Sequence, residues 1–123
     1  MSNRASILVV DDEESLRFTF EFFLSEAGYD VTTAANFDEA LSFLVSREFD
    51  LVIVDVILGG KTGLDLVREI RARWLNCRIV VITGDPTGEL ATDAQRCGVM
   101  GFVPKPVCKD RLLQITQEAL DLR

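Results

Sequence analysis

The first informative feature of this chain is an absence: none of its 123 residues is a histidine. Without histidine, neither a Ser-His nor a Cys-His nucleophile system can be built. The three cysteines, Cys77, Cys97 and Cys108, form no C-x-x-C pair, so we expect no zinc site and interpret them as reduced structural thiols. Hydrolases of the Ser-His and Cys-His kinds are thereby excluded.

The sequence also lacks an excess of positive charge and any long apolar run. Its formal net charge is −7 at pH 7, which argues against a nucleic-acid-binding surface in this domain. No apolar run approaches the roughly 18 residues that a membrane helix needs. The start, Met1–Ser6, is too short and polar for a signal peptide. We therefore expect a cytoplasmic protein that contacts neither membrane nor nucleic acid.

The apolar residues that are present fall into short runs that predict buried β-strands. The clearest is Leu51–Asp55, whose four aliphatic residues show no polar alternation, as in a strand covered on both faces. Four more strands are predicted at Ile7–Val10, Tyr29–Thr33, Arg78–Thr83 and Gly101–Val103.

A segment with helical spacing follows each predicted strand. Glu13 and Glu14 begin the first helix and Gly28 ends it. Asn36 caps the second helix, with Glu39 three residues further on. Five alternations of strand and helix with short links predict a three-layer α/β/α domain with a five-stranded parallel sheet and right-handed crossovers.

Three helical segments carry further expectations. Phe18 and Phe22 lie four residues apart on a second face of the first helix, where we favour core packing against a neighbouring helix over a partner-docking stripe. The helix after Gly63 is predicted to turn Trp74 inward. The segment Asp85–Gly98 has few apolar residues, so we expect it to be the most mobile helix.

Polar side chains stand at the carboxyl ends of these strands. They are Asp11 and Asp12 after the first strand, Asp55 on the third, Thr83 on the fourth and Lys105 after the last. The ends of parallel strands share one rim, so these side chains should meet there. Two charges about 4 Å apart interact by about 4 kcal/mol at an effective dielectric near 20, so three carboxylates should repel strongly. Mg²⁺, which a few carboxylates and water hold well, would relieve that repulsion.

This set of residues fits phosphoryl transfer to a carboxylate. Asp55 can attack a phosphoryl group and form an acyl phosphate. Mg²⁺ and Lys105 would neutralise the charge on the phosphoryl oxygens, and Thr83 would donate a hydrogen bond.

Two other functions suit the same architecture less well. A hydrolase with an aspartate nucleophile, such as a phosphatase, typically resembles D-x-D, which Asp55-Val56-Ile57 lacks. A flavin or nucleotide binder needs glycines or hydroxyls after the first strand to hold phosphate, where this chain has the acids Asp11–Glu14.

The strand-end motifs resemble those of CheY-like receiver domains of two-component response regulators. The resemblance runs from Ala5 to about Leu120 and is carried by Ile7–Glu13, Leu51–Asp55, Val80–Gly84 and Phe102–Pro106. It implies the sheet order 2-1-3-4-5. It also implies a receiver domain over residues 6–121 after a tail of residues 1–5, with no output domain in this chain.

The resemblance further implies a role for each site residue. Asp55 would accept phosphate from a phosphohistidine on a sensor histidine kinase or a histidine phosphotransfer protein. Asp12, Asp55 and the backbone carbonyl of Ile57 would bind Mg²⁺, with Asp11 acting through water. The peptide between Lys105 and Pro106 would be cis.

Phosphorylation would then act as a switch. Thr83 would move toward the phosphate and Phe102 into the vacated space, which changes the face formed by the fourth helix, last strand and last helix. We expect no enzyme activity beyond self-phosphorylation and slow dephosphorylation, since Ile57 is aliphatic and only Asp85 could speed water attack. Three points stay open: whether the protein forms a homodimer, which output domain or protein target reads the switch, and whether the chain continues past Arg123 as in a hybrid kinase or a transcription regulator.

Overall fold

The computed structural model describes residues 4–58, 61–73, 76–84 and 89–121. Within that part of the chain, strands and helices alternate as the sequence predicts, except that a short hairpin lies between the third main strand and the third helix. The strands are β1 (Ser6–Val10), β2 (Asp30–Ala34), β3 (Leu51–Asp55), β4 (Ile57–Leu58), β5 (Lys61–Thr62), β6 (Arg78–Thr83) and β7 (Gly101–Pro104). The helices are α1 (Glu14–Glu26), α2 (Phe37–Ser46), α3 (Gly63–Ala72), α4 (Glu89–Arg96) and α5 (Lys109–Asp121).

The main sheet has five parallel strands in the order β2-β1-β3-β6-β7. Strands β4 and β5 form a separate antiparallel hairpin directly after β3. The predicted order 2-1-3-4-5 is therefore correct for the five main strands. The last two carry the labels β6 and β7 because the sequence does not predict the hairpin. Its strands have two residues each, too few to produce a recognisable period.

Successive residues of the central strands point to opposite faces of the sheet and pack into two hydrophobic cores, one on each face. Ile7 and Val9 of β1 pack with α1 and α5. Leu8 and Val10 pack with α2, α3 and α4. Because both faces are covered, the central strands carry uninterrupted aliphatic runs, and the predicted three-layer α/β/α architecture is confirmed.

The predicted helix boundaries at α1 and α2 also hold. Gly28 has φ +99°, a left-handed conformation that ends α1. The Asn36 side chain accepts a 2.9 Å hydrogen bond from the Glu39 backbone N–H and caps α2. Glu39 in turn accepts from the backbone N–H of Ala35, one residue before the position that a capping box uses.

The favoured interpretation of Phe18 and Phe22 as core residues is wrong. Their exposed fractions are 71% and 53%. Phe20 and Leu24 occupy the buried face of α1, and a residue two positions away lies about 200° around a helix, on the solvent side. The alternative, a partner-docking stripe, remains a prediction.

The other predictions concern the cysteines, the mobility of α4, and the residues Trp74 and Asp85. All three cysteines are free thiols: Cys77 is buried, and burial raises its pKa to about 11, as suits a structural thiol, while Cys97 is half-buried and Cys108 is exposed. Helix α4 is the shortest of those described, and its mobility stays a prediction. Trp74 and Asp85 lie outside the described residues. None of the described helices has the length and apolar character needed to cross a membrane.

Candidate functional site

Main-chain hydrogen bonds continue the parallel sheet one residue past the ends of its strands. The backbone N–H of Asp11 donates to the carbonyl of Ala34 at 3.1 Å, and that of Lys105 donates to the carbonyl of Thr83 at 2.9 Å. These bonds fix Asp11, Thr83 and Lys105 along the same edge at which β3 ends on Asp55. The chain therefore brings its strand-end polar residues to one rim, as the sequence predicts.

Three carboxylates converge at this rim. Asp11, Asp12 and Asp55 each place an oxygen within 4.8 Å of the others. Asp11 and Asp55 are buried, with exposed fractions of 1% and 4%, while Asp12 is exposed. The cluster thus has two desolvated acids and one that reaches solvent.

Asp55 is held by two donors from different parts of the chain. Its Oδ1 accepts from the backbone N–H of Ile57 at 2.9 Å, and its Oδ2 accepts from Nζ of Lys105 at 2.5 Å. Burial alone would lower the pKa of Lys105, but the hydrogen bond and charge of Asp55, with the charges of Asp11 and Glu13, raise it. Lys105 therefore remains a cation in the site.

Asp11 is satisfied on one oxygen only. Oδ1 accepts from the backbone N–H of Glu13 at 2.9 Å, while Oδ2 is buried and has no hydrogen-bond partner among the described residues. Burial raises the pKa of Asp11 to about 6, and the charges of Asp55 and Asp12 add to that rise. An unpaired, buried carboxylate oxygen beside two other acids is what a bound cation satisfies, so these residues fit a Mg²⁺ site.

Two residues of the first loop and helix contribute to the site without having been predicted to do so. The Arg17 guanidinium donates to the backbone carbonyl of Asp11 at 2.7 Å and so ties α1 to the acidic loop. A carboxylate oxygen of Glu13 lies 3.9 Å from Nζ of Lys105. The sequence predicts Glu13 as a helix-opening acid within an acidic run, and no spacing rule pairs it with a lysine from the far end of the chain.

A close backbone contact fixes the other side of Asp55. A Cβ at Gly63 would overlap the carbonyl oxygen of Asp55, so only glycine fits at the start of α3. Thr62 and Asp65 cap that helix reciprocally, each accepting from the other's backbone N–H. The T-x-x-D spacing was present in the sequence as a signal for this cap.

The two residues predicted to respond to phosphate lie on neighbouring strands. Thr83 is the last residue of β6 and is buried. Phe102, on β7, is half-buried and packs against the core shared with α2, α3 and α4. The peptide between Lys105 and Pro106, just past β7, is cis.

A parallel sheet of this order that carries an acid cluster and a buried carboxylate paired with a lysine at its carboxyl edge defines the receiver class of signalling domain. Residues 7–117 match the family model for the response regulator receiver domain, and the chain belongs to that family. The class, fold and general phosphoacceptor function in two-component signalling predicted from the strand-end motifs are thereby confirmed.

Named relatives agree with this assignment. The alginate biosynthesis transcriptional regulatory protein AlgB of Pseudomonas putida is 35% identical over 98% of this chain and 27% of its own length. The structure of the chemotaxis protein CheY4 of Vibrio cholerae has a TM-score of 0.90 at 32% identity and covers 95% of this chain and 99% of its own. The response regulator TrrA of Thermotoga maritima, solved in complex with Mg²⁺-BeF, has a TM-score of 0.84 at 32% identity over 94% and 99%. The chain spans about a quarter of the length of the AlgB proteins it matches.

Proposed function

We propose that Asp55 accepts a phosphoryl group from a phosphohistidine on a sensor histidine kinase or a histidine phosphotransfer protein. The observation that carries this proposal is the environment of the Asp55 side chain, which is 5% exposed and hydrogen-bonded to Lys105 beside two further acids. A carboxylate that ends a buried strand and faces both a cation and an acid cluster suits attack on an anionic phosphoryl group.

We propose that Asp12, Asp55 and the backbone carbonyl of Ile57 hold Mg²⁺, with Asp11 contributing through water. The unpaired buried oxygen of Asp11 supports this assignment, as does the Mg²⁺-BeF complex of TrrA. When bound, Mg²⁺ supplies positive charge that neutralises the phosphoryl oxygens.

The residues of the chain have separate tasks in the transfer. An oxygen of Asp55 forms the new bond to phosphorus while the bond from phosphorus to the donor nitrogen breaks. Lys105, already in contact with Asp55, donates to a phosphoryl oxygen. The Thr83 hydroxyl, buried at the end of β6, donates to another.

Phosphorylation then acts as a switch through this last contact. The added charge of about −2 creates a new demand for hydrogen-bond donors, which draws Thr83 toward the phosphate. The half-buried Phe102 moves into the vacated space, and the face formed by α4, β7 and α5 changes. To shift the ratio of switched to unswitched protein from 1:99 to 99:1, the phosphoryl group must interact more favourably with the switched state by about 5.5 kcal/mol.

The proposed partners follow from this scheme. A phosphohistidine protein supplies the phosphate, and an output domain or separate protein reads the α4-β7-α5 face. A homodimer through that face or through Phe18 and Phe22 is an alternative use of the same surfaces. A cytoplasmic location and the absence of direct nucleic-acid binding by this domain remain predictions of the sequence.

Small phosphodonors test the central step. The protein incubated with acetyl phosphate and Mg²⁺ should gain the mass of one phosphoryl group in an intact-mass measurement. Asp55→Ala should gain none, while Asp38→Ala, which removes an exposed acid from α2, should be labelled as the wild type is. A wild type without added mass, or a label that survives in Asp55→Ala, would contradict the proposal.

The same sample reports how long the label lasts. Ile57 is 63% exposed and offers no polar side-chain group to orient an attacking water, so loss of phosphate after removal of the donor should take minutes or longer. Loss within seconds would contradict this expectation.

A further inference from the structure

Glu13 lies between solvent and the lysine of the site. Its carboxylate is 3.9 Å from Nζ of Lys105, which contacts Asp55 on its inner side. The side chains of Glu13, Lys105 and Asp55 are 59%, 29% and 5% exposed, so charge alternates in sign from solvent inward. Glu13 occupies the N-cap position of α1 but makes no side-chain capping bond, so its side chain has no evident structural duty there.

We propose that Glu13 is a specificity-determining residue that selects phosphodonors by their charge. The inference rests on the proposed function, because it concerns access to Asp55. Asp12 and Glu14, on either side of Glu13, are exposed acids of the same sign. An incoming phosphodonor therefore meets negative charge before it reaches Lys105, and a donor that brings its own positive charge is favoured.

The size of the effect follows from Coulomb's law. A donor charge about 6 Å from Glu13 in a water-like dielectric changes the encounter about threefold for each unit of charge. Glu13 should therefore slow a dianionic donor about tenfold and a monoanionic donor about threefold. The attraction between Glu13 and Lys105 is the same whichever donor is used, so it changes both labelling rates equally. The difference between the two rate changes therefore measures the selection by donor charge.

Two small donors differ in the required way. Acetyl phosphate is a dianion near neutral pH, and its transfer to Asp55 breaks a P–O bond and releases acetate. Phosphoramidate carries a protonated nitrogen and is a monoanion, and its transfer breaks a P–N bond and releases ammonia with the protons it already holds. Both form the same acyl phosphate on Asp55, so the product and its later fate are identical.

The experiment compares labelling rates for the two donors at low ionic strength, extrapolated to saturating Mg²⁺. Glu13→Gln should raise the rate about tenfold with acetyl phosphate and about threefold with phosphoramidate. Glu13→Asp, which keeps the charge, should stay near the wild type. Glu26→Gln removes the same charge about 20 Å along α1 and should change neither rate. In about 1 M salt, where the screening length falls to about 3 Å, both gains should vanish.

The outcomes separate this inference from the proposed function. If the wild type is labelled on Asp55 but Glu13→Gln speeds both donors equally, or neither, Glu13 does not select by charge. Gains that persist in high salt, or that Glu26→Gln reproduces, would also overturn the inference. If the wild type takes no label on Asp55 from either donor, it is the proposed function that fails.

Discussion

The three acids of the site lie in three different environments, and this decides what each can do. Asp55 has a donor on each oxygen, whereas Asp11 has one donor and a buried oxygen that no described residue partners. Asp12 reaches solvent, where water can satisfy it. Burial raises the pKa of Asp11 to about 6, and the charges of Asp55 and Asp12 add to that rise. Without a metal, Asp11 therefore binds a proton more readily in the native than in the unfolded chain.

The first prediction at the residue scale concerns the pH dependence of the metal-free protein. The pKa of Asp11 is higher in the folded than in the unfolded chain, so its contribution to stability is fully present below about pH 4 and is lost as pH rises through about 6. In chelator, the free energy of unfolding should rise by about 1 kcal/mol between about pH 7.5 and pH 5. Urea unfolding at both pH values measures this change.

Asp11→Asn provides the control for that titration. The amide does not ionise, so the unfolding free energy of the variant should change much less than that of the wild type over the same interval. A wild type insensitive to pH, or a variant with the same slope, would show that Asp11 is not the group responsible.

At the scale of elements, the joint between β3 and α3 holds Asp55, the proposed acceptor, in place. The backbone N–H of Gly63 donates to the carbonyl of Val56 at 2.6 Å, and the missing side chain lets α3 begin directly against the main chain of Asp55. The sequence shows that residue 63 is a glycine, but it does not show that the backbone of Gly63 approaches the backbone of Asp55, eight residues earlier. A pattern of residue types records periodicity and caps, and it does not record which backbone atoms touch.

We predict that Gly63→Ala destabilises the protein and displaces Asp55. The new Cβ would overlap a backbone carbonyl, so the main chain must shift, at a cost of about 1–3 kcal/mol. Urea unfolding should show the lower stability, and labelling by acetyl phosphate should slow. Gly84→Ala is the matched control for stability, because a Cβ there meets no atom of the described residues within 4 Å, and it should change the unfolding free energy by less than about 0.5 kcal/mol. Equal stability of Gly63→Ala and the wild type would contradict the proposed joint.

For the whole molecule, the parts that the sequence predicts are those governed by topology. Aliphatic runs such as Leu51–Asp55 require burial on both faces, and parallel strands must place their carboxyl ends together, so the convergence of Asp11, Asp55 and Lys105 could be inferred. The sequence does not predict correctly whether Phe18 and Phe22 of α1 are buried, because their spacing alone does not say which of two helix faces packs against the sheet. The contacts of Glu13 and Arg17 depend on side-chain reach across the fold, which no local pattern contains.

Repulsion among Asp11, Asp12 and Asp55 at the carboxyl edge of the sheet should make the stability of the whole domain depend on Mg²⁺. A cation that binds the native state alone stabilises it by mass action, by about 1.4 kcal/mol at ten times its Kd. For a domain of this size, that corresponds to a rise of about 3–7 °C in Tm. Calorimetry in chelator and in about 10 mM Mg²⁺, with ionic strength matched by a monovalent salt, measures the gain.

Two variants locate that gain at the acid cluster. Asp12→Asn removes one proposed ligand and should lose most of the rise in Tm, while its stability in chelator should be at least that of the wild type because one repelling charge is gone. Asp38→Asn removes an exposed acid from the first turn of α2 and should keep the full rise. An unchanged Tm of the wild type in Mg²⁺, or an equal rise in Asp12→Asn, would contradict the metal assignment, since the same three carboxylates that repel in the metal-free state are those proposed to hold the ion.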